Sequence, residues 1–169
     1  MTLAPDLIAP VVGFRKWRVV ADHITSPYVP LRWNERETRA RCMPANRSLM
    51  FGAGWLEEPH EAPHPRCKCG VYAWHDPPQR GPIRDAQQSF GVIALWGRVE
   101  VHEEGMRGEY ARIEALSFQP DLGSEHVRRI KAIADRLRVA AVAYDDLPRA
   151  AQEFGDGVPA ALRPPSRQG

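Results

Sequence analysis

Three cysteines and two histidines have the residue types and the spacing to bind one metal ion. Cys67 and Cys69 form a Cys-x-Cys pair, and Cys42 supplies a third sulfur from an earlier segment. His60 and His64 precede the pair in a proline-rich stretch. Thiolate sulfur and imidazole nitrogen are the donors that a tetrahedral Zn²⁺ prefers, and four of them leave no position for water. The sequence therefore predicts a structural zinc site made by the three cysteines and one histidine.

The fourth ligand is either His60 or His64. We favour His60, because His64 lies between two prolines that restrict its backbone. Residues two apart in an extended segment project to the same side, so Cys67 and Cys69 can face one ion, and Gly70 allows the chain to turn away after them. Cys-x-Cys is less usual for zinc than Cys-x-x-Cys. Buried free thiols, an iron–sulfur centre and a redox pair are the alternatives to zinc.

A catalytic zinc site would need three protein ligands, a bound water and a carboxylate base. Glu61 follows His60 directly and could be that base. The zinc deaminase pattern, H-x-E followed by P-C-x-x-C, does not fit the spacing of this chain. Four available donors therefore favour a closed structural site over a catalytic one.

A second group of residues could perform acid–base chemistry. His102, Glu103, Arg107 and Glu109 lie at a predicted hairpin turn and would combine an acid, a base and an anion-binding arginine. Charged residues at turns are more often only solvated. No P-loop, dinucleotide-binding or nucleophile motif accompanies them.

Hydrophobic periodicity predicts the elements that position these residues. Strands are predicted at residues 11–20, 71–74, 90–102 and 108–118, with a short piece at 39–43 that carries Cys42 and a metal-tied loop at 44–66. A helix is predicted from Ser124, its N-cap, and a second one from about Asp146, with Pro148 in its first turn and Gly155 past its end. Residues 139–144 fit either a strand or a continued helix.

This order of elements predicts an α+β fold. We expect an antiparallel sheet or a small, partly open barrel with a zinc-tied loop, followed by C-terminal helices. Residues 1–120 would form the β-rich metal-binding domain, residues 121–157 a helical appendage packed on it, and residues 158–169 a disordered tail.

Composition is that of an ordinary globular protein. The chain has 169 residues, 43% of them hydrophobic and 26% charged, with a net charge of +2. An odd number of cysteines argues against a disulfide framework. No apolar run is long enough for a membrane helix and the start does not have the pattern of a signal peptide, so we expect a cytoplasmic protein with no membrane partner.

Arginines and tryptophans near the N-terminus predict a surface for nucleic acid or an acidic protein partner. The candidate residues are Arg15, Arg18, Arg32, Trp33 and Arg36. Trp33 and Trp55 are the tryptophans in loop-like, arginine-bearing surroundings, where a ring could stack on a base. A second basic cluster lies on the first predicted helix and consists of Arg128, Arg129, Lys131, Arg136 and Arg138.

Three strings carry a resemblance to known sequences. They are HEAP at 60–63, CKCGVYA at 67–73, and LWGRV at 95–99 followed by HEEGMRGEYA at 102–111. In these strings the chain resembles an uncharacterised family of small bacterial proteins, mainly actinobacterial and phage-borne, over residues 11–118. The family has its histidine at the position of His60, which supports His60 as the fourth ligand. The resemblance implies no activity.

Two functions of different classes follow from the sequence. The first is a zinc-stabilised, β-rich binding or regulatory module, which is directed to nucleic acid if the arginine surface binds phosphate. The second is a small metal-dependent or acid–base enzyme of unknown substrate. The absence of a catalytic motif favours the binding module.

Overall fold

The computed structural model describes residues 2–3, 9–29, 31–42, 58–80 and 85–165. The fold is α+β, as the sequence predicts: among these residues nine strands form one mostly antiparallel sheet, and two helices lie in the C-terminal part. The helices are α1 (Ser124–Leu137) and α2 (Leu147–Phe154). The strands, in chain order, are β1 (Thr2–Leu3), β2 (Val11–Val20), β3 (His23–Thr25), β4 (Arg32–Trp33), β5 (Glu37–Arg39), β6 (Val71–Trp74), β7 (Gln88–Val101), β8 (Gly105–Phe118) and β9 (Ala140–Ala143).

The hairpin of β7 and β8 is the centre of the sheet. Each strand has 14 residues, rich in β-branched and aromatic side chains that pack well on a pleated surface. β2 pairs with β7, and β6 pairs with β8 on one side and with β2 at Phe14 and Trp74 on the other. Strands β2, β7, β8 and β6 therefore close into a ring, in agreement with the partly open barrel that the sequence predicts.

Shorter strands extend this ring. β3 and β4 continue the sheet beyond β2, and β1 pairs with β7. β5 and β9 both pair with β8, and β9 is parallel to it. β5 ends at Arg39, so Cys42 follows the strand and does not lie in it. Residues 43–57, which make up most of the predicted loop, are outside the described residues.

Two groups of apolar side chains form the core. The larger group fills the ring and the space under α1, and its completely buried members include Trp17, Leu95 and Ile130. Cys67 and Cys69 belong to this group. The smaller group lies between α2 and one face of the sheet, and consists of Val12, Phe14, Phe90, Val92, Ala115, Leu147 and Ala151. The segment that carries Cys67 and Cys69 is thus attached directly to the main core.

The helices begin and end close to the predicted residues. α1 starts at Ser124, but the N-cap position is Gly123 and no side chain caps the helix, so the prediction of Ser124 as N-cap is wrong. The chain leaves α1 through Arg138 in the left-handed conformation and continues as β9, which resolves residues 139–144 in favour of a strand. α2 has Pro148 in its first turn and Gly155 after its end, as predicted.

Order continues past the start of the predicted tail. Val158 is buried in the main core, and residues Ala160–Leu162 form a short 3₁₀ turn. This part differs from the predicted disordered tail, because Val158 and Leu162 pack with the apolar side chains of the main core. Residues 166–169 are outside the described residues. None of the described helices is both long enough and apolar enough to cross a membrane.

Candidate metal centre

Cys42, His60, Cys67 and Cys69 lie together, and their ligand atoms are all within 4.8 Å of one another. Sγ of Cys42 is 3.8 Å from Sγ of Cys67, and Sγ of Cys69 is 3.4 Å from Nε2 of His60. In a tetrahedral zinc site, bond lengths of about 2.3 Å to sulfur and about 2.0 Å to nitrogen place two sulfurs about 3.8 Å apart and a sulfur and a nitrogen about 3.5 Å apart. The four residues are spaced to hold one metal ion.

A hydrogen bond at its other nitrogen, Nδ1, orients the ring of His60. Its Nδ1 is 2.7 Å from the carbonyl oxygen of Glu58. A carbonyl oxygen can only accept, so Nδ1 carries the hydrogen and Nε2 presents its lone pair to the sulfur atoms. His64 uses its own Nδ1 to accept the backbone N–H of Arg66, at 3.2 Å. His60, and not His64, therefore joins the three cysteines.

The backbone around the Cys-x-Cys pair turns sharply. The N–H of Cys67 donates to the carbonyl oxygen of His64, at 2.9 Å. Gly70 has φ +131°, and a Cβ there would lie 3.2 Å from the side chains of Arg107 and Pro63. Only glycine adopts this conformation without strain. The role that the sequence assigns to Gly70, turning the chain into β6, agrees with this geometry.

Arg107, from the side of β8, holds residues 58–70, which carry His60, Cys67 and Cys69 and are called the metal-binding loop from here on. Its guanidinium donates to the carbonyl oxygens of Cys67, Cys69 and His64, the last two at 3.1 Å. Its Nε donates to the carboxylate of Glu100 in β7, at 2.7 Å, and the two side chains form an ion pair. Arg107 is 4% exposed and Glu100 is completely buried. This buried pair fixes the loop through its backbone, as groups behind metal ligands often do.

The outer side of the loop is held by weaker contacts. Arg98 donates to the carbonyl oxygen of Pro63, at 3.0 Å. Glu61 is 70% exposed and pairs with Arg39 and Arg98, at 3.5 and 3.8 Å. Such exposed pairs contribute little to stability. Glu61 is not among the clustered ligand residues and is engaged by arginines, so its position gives no support to a role as catalytic base.

Burial makes ionised thiolates in this cluster costly unless a cation lies beside them. Cys67 and Cys69 are 3% and 2% exposed. Burial, followed by a hydrogen bond with Cys67, raises the pKa of the Cys69 thiol to about 12. Three adjacent thiolates at neutral pH therefore require a positive charge beside them, and metal binding supplies it by displacing the protons. This donor set fits a thiophilic ion such as Zn²⁺.

Three of the four residues considered for acid–base chemistry have separate surroundings in the structure. Arg107 is committed to Glu100 and the metal-binding loop, which corrects its assignment as an anion-binding residue. Glu109 pairs with Arg39 on β5, at 3.0 Å. Burial, and then the charge of Arg107, lowers the pKa of His102. No common acid–base site results from these contacts.

Three of the predicted nucleic-acid residues are engaged in the structure. Arg15 donates to the carbonyl oxygen of Tyr72 at 2.5 Å and to Oγ of Ser26 at 3.1 Å, and burial lowers its pKa to about 10. Trp33 is 2% exposed, and its Nε1 donates to Ser26. The prediction of an exposed, stacking Trp33 is therefore wrong, because β4 turns this ring into the core.

Arg36 also has internal partners. It pairs with the buried carboxylate of Glu114, at 2.5 Å, and donates to the carbonyl oxygen of Ile113. Arg18 and Arg32 remain exposed on β2 and β4. Trp55 lies outside the described residues.

The basic residues of α1 are partly neutralised. Arg128 and Arg129 pair with Glu125 within the helix, and Arg136 pairs with Asp22. Lys131 lies 5.2 Å from the ring of Phe118. Three of the five basic residues of this cluster therefore have a carboxylate partner within the protein.

Comparisons of the chain with protein families, with curated proteins and with solved structures found no match. The resemblance to a bacterial family stays a prediction. The interpretation of the site therefore depends on the geometry of its own residues.

Proposed function

We propose that this protein is a small binding or regulatory module whose metal-binding loop is held by one structural zinc ion, with Cys42, His60, Cys67 and Cys69 as its ligands. The observation that carries the proposal is the spacing of the donor atoms, 3.8 Å between two sulfurs and 3.4 Å between sulfur and nitrogen. These separations are close to the edges of a tetrahedral zinc site.

The same separations argue for a single ion and against an iron–sulfur cluster. A cluster stands between its cysteines and holds their sulfurs further apart than a single ion does, and it is usually bound by four cysteines. Here the four ligand atoms lie within 4.8 Å of one another, and one of them is a nitrogen. Three thiolates and one imidazole are a regular ligand set of structural zinc.

Four protein ligands also argue for a structural role. A catalytic zinc keeps one position for water, and a closed set of four gives no such position. The alternative, a small metal-dependent or acid–base enzyme, would need one of the four ligands to leave or a second reactive group. The side chains considered for such chemistry, Arg107 and Glu109, are already engaged by Glu100 and Arg39. Binding is therefore the function that the site supports best.

Metal analysis of two neighbouring histidine variants tests the proposal. The purified protein should contain one equivalent of zinc, and X-ray absorption should give four ligands, three sulfurs and one nitrogen. His60→Ala should lower the affinity for zinc by more than about 100-fold, since it removes a ligand and changes in the groups behind ligands already cost about 10- to 100-fold. His64→Ala is the matched control, because it removes an imidazole from the same loop and should leave the affinity unchanged. A water or a second light ligand on the ion in the wild type would favour the enzyme instead.

A further inference from the structure

One face of the sheet changes from apolar to cationic along β2. Alternate residues of a strand point to the same face, and the even-numbered residues of β2 begin with Val12 and Phe14, which pack with α2. Lys16, Arg18 and Val20 follow on this face, and Arg18 and Val20 are exposed. The part of the face that α2 does not cover therefore carries two cations in succession.

The neighbouring strands add a third cation in register. Arg18 pairs with Thr25 of β3, and Thr25 pairs with Arg32 of β4. Arg18 and Arg32 are thus in one cross-strand row, about 10 Å apart, while Lys16 lies about 7 Å from Arg18 along β2. We define Lys16, Arg18 and Arg32 as the cationic face.

These three cations have no internal partner in the described part of the chain. Among the described residues, none of the three has a carboxylate within 4 Å or a side-chain hydrogen bond, in contrast to Arg15 and Arg36. Asp22, in the turn between β2 and β3, is the acid that interacts with Arg32 over a longer distance, and it already bonds with His23 and Arg136. The cationic face therefore has charge available for a ligand.

We propose that the cationic face binds the sugar–phosphate backbone of single-stranded nucleic acid. Phosphates repeat along the strand, so a row of cations can contact several of them at once, and guanidinium groups match phosphate oxygens in geometry. Val20, 43% exposed beside Arg18, offers an apolar contact to an unpaired base. With Trp33 buried, stacking on this ring does not contribute, so binding is electrostatic and tolerant of sequence. This inference rests on the proposed binding role of the module.

Fluorescence anisotropy with a labelled oligothymidylate and a labelled duplex at low salt tests the inference. The oligothymidylate should bind more tightly, and three phosphate contacts predict that log K falls against log salt with a slope of about −2. Arg18→Ala and Arg32→Ala should each weaken binding about fivefold and make the slope less steep by about 0.7. Arg128→Ala is the matched control, because it removes an exposed arginine from α1 and should change neither value.

Three results would overturn the inference. They are no binding of either oligonucleotide at low salt, an equal loss in Arg128→Ala, and stronger competition by polyglutamate than by unlabelled oligothymidylate. Zinc content and melting temperature are measured on the same samples. If the protein contains zinc but binds neither oligonucleotide, the proposal for the cationic face is refuted and that for the zinc centre is not. If the protein contains no zinc but binds the oligonucleotides through Arg18 and Arg32, the proposal for the zinc centre is refuted and that for the cationic face is not.

Discussion

The metal-binding loop, residues 58–70, and the β7–β8 hairpin are neighbours, yet they are held by different forces. The hairpin has a long ladder of backbone pairs, with two register shifts, and completely buried side chains such as Ile93, Leu95 and Ile113. The described loop has no strand or helix and buries little more than Ala62, Pro63, Cys67 and Cys69. The contacts that hold it are hydrogen bonds to its carbonyl oxygens and the cluster of candidate metal ligands.

This difference indicates which part of the protein depends on the ion. Burial of apolar surface stabilises the hairpin whether or not metal is present. The loop buries too little apolar surface to offset the entropy of ordering its backbone, so we expect the proposed zinc ion to be needed for its order. Arg107 and Glu100 connect the two regions, because they belong to the hairpin and hold the loop.

Removal of the metal should have the largest effect and should separate the two regions. Cys67→Ser, or a strong chelator, should release the zinc and lower the free energy of unfolding by about 3–5 kcal/mol, since binding of a structural ion is coupled to folding. Hydrogen exchange should become fast in residues 58–70 and stay slow in β7 and β8. Equal loss of protection in the hairpin would show that the ion stabilises the whole fold and would remove the distinction.

Substitution of the connecting arginine should have the next largest effect. Arg107→Ala should lower the free energy of unfolding, measured by urea denaturation, by about 3–5 kcal/mol, because it leaves Glu100 buried without its cation. It should also weaken zinc binding, since three carbonyl oxygens of the loop lose their donor.

Arg98→Ala is the matched control for this substitution. Arg98 also donates to the loop, at Pro63, but its side chain is 40% exposed. Arg98→Ala should therefore lower the free energy of unfolding by about 1 kcal/mol or less. Similar losses for the two variants would mean that burial of the Arg107–Glu100 pair is not what connects the hairpin to the loop.

The sequence predicts the metal-binding loop better than the residues that support it. Thiols and imidazoles have few uses, so the residue types and spacing of Cys42, Cys67 and Cys69 are enough to indicate their chemistry. Arg107 has many uses, and its partner is found only from the hairpin register, in which Glu100 lies directly opposite. Two register shifts in β7 and β8 change which residues share a face, so alternation alone does not reveal this pair.

Trp33 is a residue of the sheet whose surroundings could not be predicted from the sequence either. The stretch from Trp33 to Arg36 has the composition of a loop, and on that basis its ring is expected at the surface. The structure makes Arg32–Trp33 a two-residue strand, pairs Trp33 with Ile24, and places the ring edge-on to Trp17 at 5.7 Å between centroids. A strand this short has too little pattern to predict, whereas the longer strands and both helices have enough.

The smallest expected effect concerns a titrating group outside the loop. His126 in α1 is 3% exposed, and its Nδ1 lies 3.3 Å from the carbonyl oxygen of Ala86. Its Nε2 is buried and has no hydrogen-bond partner in the described residues. Burial lowers the pKa of His126 below its usual value of about 6.5. The folded protein therefore takes up this proton less readily than the unfolded chain.

Stability should consequently decrease as the pH falls below about 6.5, and this loss should end once the pH is below the lowered pKa of the folded state. His126→Leu removes the titrating group, so its free energy of unfolding should fall less between pH 7 and pH 5 than that of the wild type. The zinc ligands also take up protons in acid, but they do so in both proteins, and the difference between them isolates His126. If the free energy of unfolding has the same pH dependence in the two proteins, His126 does not contribute to it. All acid sensitivity would then belong to the metal-binding loop, and the apolar part of the fold would differ from the loop in this property too.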